Sequence, residues 1–98
     1  MVYLIFCLLN NSLNKCVMAV YIDFTANSSD DMYVTSLSKL GLSNIRTLSL
    51  DLFYIGETMT YNVNNFPATY AYINNDDIRV TECSPGGKYR ISYLYMNI

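Results

Sequence analysis

The chain has 98 residues, 52% of them hydrophobic and only 14% charged, with a net charge of −2 and no histidine or tryptophan. So few charges beside so many apolar residues exclude a disordered chain, and the lack of a cationic patch argues against double-stranded nucleic acid. Without histidine there is no Ser–His–Asp triad, no Cys–His dyad and none of the usual neutral-pH acid, base or metal ligand.

One domain spanning 1–98 is the expectation, with a core that needs no staples. Neutral polar groups must cover its surface, and ten tyrosines stand out among them. The three cysteines, Cys7, Cys16 and Cys83, are too few and too irregular for a disulfide framework. They read as small buried hydrophobes, with a Cys7–Cys16 bridge across a first hairpin as the alternative.

Residues 1–9 (MVYLIFCLL) are apolar throughout but too short for a bilayer, which takes about 20 residues. A buried strand is the preferred reading, because no basic residue precedes the run. The alternative is a secretory leader removed after residue 19, where Val17-Met18-Ala19 has the small-x-small pattern. The first reading slightly favours an intracellular protein; the second makes a secreted or lumenal module, and the compartment stays open. Met18 is also a candidate internal start. Residues 10–15 are turn material. Residues 17–24 (VMAVYIDF) are apolar on both faces almost to the end, the pattern of a central strand.

The segment 25–31 is a polar loop that offers helix caps. After it, Tyr33, Leu37 and Leu40 fall on one helical stripe, Lys39 lies in the last turn and Gly41 sits where a C-cap belongs. One short helix is expected here. Ile45–Ile55 alternates as a half-buried strand, with Leu48, Leu50, Leu52 and Tyr54 on one face and Thr47, Ser49 and Asp51 on the other. Residues 57–63 and 69–73 read as further strands, separated by a break at 64–67. Asn74-Asn75-Asp76-Asp77 is a turn of residues that tolerate positive φ. The last two strands flank Ser84-Pro85-Gly86-Gly87, a turn sequence that predicts a closing hairpin. The sum is an α+β fold: an antiparallel meander of six or seven strands with one short helix packed on one face.

No catalytic, cofactor-binding or metal-ligating constellation is recognisable. The adjacent pairs Asp30-Asp31 and Asp76-Asp77 read as caps and turns, and Ser84–Lys88 lacks the spacing of a phosphate loop. An enzyme working with carboxylates alone would need Asp23, Asp51, Glu57 or these pairs to converge in a cleft. The tyrosines are the remaining feature. Tyr89, Tyr93 and Tyr95 share one face of the last strand, next to Arg90, and Tyr70 and Tyr72 share a face of an earlier one. They either roof the core with their hydroxyls at its edge or form a platform for a partner. On the second reading the candidate partner-binding residues are Tyr70, Tyr72, Tyr89, Arg90, Tyr93 and Tyr95. The expected function is then a small non-enzymatic binding protein acting on a protein partner, self-associating through a strand edge. The Asn-, Tyr- and Ile-heavy composition resembles that of small accessory proteins from AT-rich viral or phage genomes.

Overall fold

The computed structural model describes the backbone of residues 2–10, 15–63 and 68–98, and the side chains of 17–63 and 68–98. The strands are β1 (Val2–Asn10), β2 (Lys15–Thr25), β3 (Met32–Ser36), β4 (Ile45–Ile55), β5 (Thr60–Asn62), β6 (Tyr70–Asn74), β7 (Asp77–Thr81) and β8 (Lys88–Asn97). They form two antiparallel sheets, a five-stranded one in the order β1-β2-β8-β4-β5 and a three-stranded one in the order β3-β7-β6. Both sheets contribute to one core. Val20, Ile22, Leu52, Ile91 and Tyr93 come from the larger sheet, and Val34, Ile78 and Val80 from the smaller.

The fold is therefore all-β, not α+β, and no helix occurs among the described residues. The segment expected to be helical splits in two. Met32–Ser36 pairs with β7, where β-branched Val34 and Thr35 are more at home than in a helix. The end signals were real but close a single turn. Leu42 N–H donates to the Leu37 carbonyl at 2.9 Å and Gly41 N–H to the Ser38 carbonyl at 3.0 Å, with Gly41 at φ 76°. That is a Schellman closure whose two leucines, Leu37 and Leu42, pack on the core.

The closing hairpin is corrected as well. Ser84–Gly87 does turn, with Gly87 N–H donating to the Ser84 carbonyl at 2.9 Å and Gly86 at φ 84°. But β7 pairs with β3 and β6, while β8 pairs with β2 and β4. The turn carries the chain from one sheet to the other. Turn chemistry fixes the local bend and leaves open whether the flanking strands bond to each other. β7 forms its hairpin with the preceding strand instead: in β6–β7 Asn74 faces Asp77 and Asn75 takes φ 56°, as the Asn/Asp run predicts.

Two further strands match their sequence. β2 lies between β1 and β8, as its two apolar faces imply. β4 spans the expected residues, with a register shift between Thr47 and Ser49 in its pairing with β8. A bulge of this kind adds one residue and swaps the faces beyond it. Leu48 is thus 45% exposed, and Thr47 joins the inner side, its hydroxyl 2.7 Å from the Tyr93 hydroxyl.

Val2–Asn10 is a strand, paired residue for residue with β2. The backbone register sets Cys16 opposite Leu9 and Cys7 opposite Met18; the side chains of a Cys7–Cys16 bridge lie outside the described residues. Of the turn expected at 10–15, Asn10 ends β1 and Lys15 starts β2; residues 11–14, like the expected break at 64–67, lie outside the described residues. Cleavage after residue 19 would remove β1 and cut β2 beside the fully buried Val20. Cys83 is a buried free thiol whose pKa burial pushes up to about 11. It is held as the unreactive thiol at neutral pH.

Candidate binding surface

The strand period decides which side chains of the small sheet look outward. In β7, Ile78 and Val80 are fully buried, so Asp77, Arg79 and Thr81 take the other face. Across the ladder Tyr33 is opposite Arg79, and Tyr72 is opposite Arg79 on the other side. Tyr33, Arg79 and Tyr72 thus form one row across all three strands. Tyr70, opposite Thr81, stands in the next row, with its ring centroid 5.8 Å from that of Tyr72.

Charges tie this row down. The Arg79 guanidinium donates to Asp31 at 2.7 Å, and the Tyr72 hydroxyl donates to the other Asp31 oxygen. Asp77 lies 3.8 Å from the same guanidinium. These bonds stabilise ionised Asp31, and the Tyr72 hydroxyl followed by Arg79 holds its carboxyl below the usual range. The same hydrogen bond, donated to a carboxylate, raises the pKa of the Tyr72 phenol, which keeps its proton. At the β3 end the Lys39 ammonium lies 5.1 Å from the Tyr33 ring centroid. Lys39 lowers the Tyr33 phenol pKa and has its own raised in return. The turn that carries Lys39 is itself pinned by Asp76, whose carboxylate accepts the Ser38 hydroxyl at 2.5 Å and the Ser38 N–H at 3.2 Å.

The six residues singled out from the sequence fall in three different places. Tyr70 (47% exposed) and Tyr72 lie on the outer face just described. Tyr89, Tyr93 and Tyr95 are buried in the core. Tyr93 and Tyr95 stack at 5.5 Å, and the Tyr89 ring stacks on Phe24 at 5.8 Å, with its hydroxyl accepting the Ser84 N–H at 2.8 Å. The last strand is therefore no platform. Arg90 lies on the opposite face of the larger sheet, in a bidentate pair with Asp23 at 2.6 and 2.9 Å.

Sequence reading left Tyr33, Asp31, Lys39 and Arg79 out of the candidate set, Arg79 being noted only as a cation near the tyrosines. The first three fell within the supposed helix and its cap. Arg79 had a usable signal, because it alternates with Ile78 and Val80 and must therefore point out of the core.

The Asp23–Arg90 pair has a pH consequence. Arg90 holds the Asp23 carboxyl below its ordinary 3.8. A lowered folded-state pKa adds stability that is present above the unfolded value and is lost as pH falls through the folded one. Urea midpoints are therefore expected to drop as the pH falls below the ordinary carboxylate range. Asp23→Asn should lower the midpoint near neutrality and reduce the further drop in acid. An unchanged acid profile in that variant would remove the pair from the account.

Among the described residues no three His, Cys, Asp or Glu side chains gather as metal ligands, and no helix is long and apolar enough to cross a membrane. Among the described residues, one open recess is lined by Phe24, Thr25, Met32, Tyr33 and Val34 and another by Tyr54, Val63, Thr69, Glu82, Ser84 and Tyr89. Neither brings two carboxylates together. Comparison with protein-family models, curated proteins and solved structures finds no match, so a functional reading stands on this geometry alone.

Proposed function

We propose that this is a small non-enzymatic binding protein whose contact surface for a protein partner is the outer face of the three-stranded sheet. The observation that carries the reading is the row Tyr33–Arg79–Tyr72, with Tyr70 beside it, held by Asp31 and Lys39. Tyrosine and arginine give large contact area and dominate binding energy where interfaces have been scanned. Side chains fixed before a partner arrives lose less entropy on docking. The face carries both signs, Lys39 and Arg79 against Asp31 and Asp77. It therefore suits a neutral polar polypeptide surface better than a polyanion. Self-association through a free sheet edge is part of the same proposal. A viral or phage accessory role rests on composition alone.

The test is binding by variants of the intact protein to whatever the wild type retains from its native cells. Tyr70→Ser and Tyr72→Ser are each expected to weaken retention by about 10-fold or more, the scale of an interface hot spot. Lys88→Ala, at the start of β8 in the other sheet, should leave it unchanged. Equal retention by all three would refute the assignment. Stability should move little in either tyrosine variant, which separates loss of contact from loss of fold.

A further inference from the structure

Among the described strands each sheet has two edges, and three of the four are blunted. β5 is three residues long. β3 is five residues long with a register shift between Tyr33 and Thr35. β6 is also five residues long. Short length and bulges are how sheets discourage pairing with other chains.

β1 has none of these devices. It runs nine residues in unbroken register with β2, from Val2 opposite Asp23 to Asn10 opposite Lys15. Its sequence, VYLIFCLLN, holds no charge, proline or glycine. Among the described elements it packs substantially on β2 alone. A strand apolar at every position from Val2 to Leu9 has the composition of one covered on both sides, yet it is the outermost strand of its sheet.

We propose that β1 pairs antiparallel with β1 of a second copy of this chain, about a two-fold axis, joining two five-stranded sheets into one of ten strands. Three features choose a second copy over another partner. Antiparallel edge pairing about a two-fold is self-complementary, so the chain already contains the matching strand. With no charge between Val2 and Asn10, a copy meets no like-charge repulsion in any register. The length also fits: a nine-residue edge in unbroken register finds a strand of matching length in a second β1. Closure follows from the other edge of the same sheet. Three-residue β5 offers no equivalent template, so association stops at two copies and does not run on into a filament. The dimer edge and the tyrosine face lie on different sheets, and either can fail while the other holds.

The experiment is sedimentation equilibrium of the full chain over a wide concentration range, with hydrogen exchange on the same samples. Wild-type protein is expected at twice the monomer mass, with amides of Val2–Asn10 gaining protection as concentration rises. Phe6→Lys and Leu8→Lys should weaken self-association by about 30-fold or more. If these variants fail to fold, the wild-type exchange result alone decides. A monomer at every concentration overturns the proposal, and so does a monomer that instead binds neutral phospholipid vesicles. A dimer whose β1 amides exchange independently of concentration, or one that persists in folded Phe6→Lys, overturns it too.

Discussion

Tyr93→Ala is expected to cost about 3–5 kcal/mol, the range for emptying a large buried aromatic site. Among the described residues Tyr93 is the largest fully buried side chain, on the central strand of the five-stranded sheet. It stacks on Tyr95, is opposite Val20 on one side and Leu50 on the other, and shares its hydroxyl with Thr47. A domain of this size has about 5–15 kcal/mol in all, so the variant should be largely unfolded under mild denaturant. Tyr93→Phe keeps the ring and gives up one hydrogen bond, a loss of about 0.5–1.5 kcal/mol. Urea titration of the pair checks both. Equal midpoints for Tyr93→Ala and wild type would mean that Tyr93 is not in the core.

Gly87→Ala is expected to destabilise by about 1–3 kcal/mol, the range for forcing extra volume into a packed site. A Cβ there would sit 2.9 Å from the Ser84 carbonyl oxygen and 2.9 Å from the Tyr89 ring. The first neighbour is backbone of the same turn. The second is a ring already fixed by the Ser84 N–H and by Phe24. Neither can give way without disturbing the passage from β7 to β8, on which the joining of the two sheets depends. Thermal melts of Gly87→Ala against wild type measure the effect. A melting temperature within about 1 °C of wild type would show that the turn tolerates the methyl group.

The sequence made individual strands legible more readily than their pairing. β4 and the central place of β2 followed from alternation and from apolar faces, and the β6–β7 turn followed from Asn75 and its neighbours. Ser84–Gly87 carried a correct turn and an incorrect partner, because partner choice depends on where Ile78, Val80 and Ile91 are buried, which is tertiary information. The short helix failed for a related reason. Three apolar residues at helical spacing and a C-cap glycine describe one capped turn as well as a helix, and the pairing of Met32–Ser36 with β7 won.

The candidate surface was half legible. Period-two spacing put Tyr70 with Tyr72, and Tyr89 with Tyr93 and Tyr95. Tyrosine suits a core edge and an exposed face equally well, so spacing alone did not say which set was outside. The neighbours settle it. Arg90 pairs with Asp23 on the far side of its sheet, leaving the odd-numbered residues of β8 to the core. Arg79, by contrast, shares the outer face with Tyr33 and Tyr72.

The measurement that tests the central claim most directly is photo-cross-linking in the protein's native cells. A photoreactive phenylalanine analogue would replace Tyr70 in one variant and Lys88 in another. The expected result is a discrete cross-linked protein adduct from position 70, absent from position 88 and lost when Tyr72→Ser is added. An adduct from position 88 alone, or none from position 70 while the folded protein still co-purifies with a partner, would contradict the claim that the tyrosine face of the small sheet makes the contact.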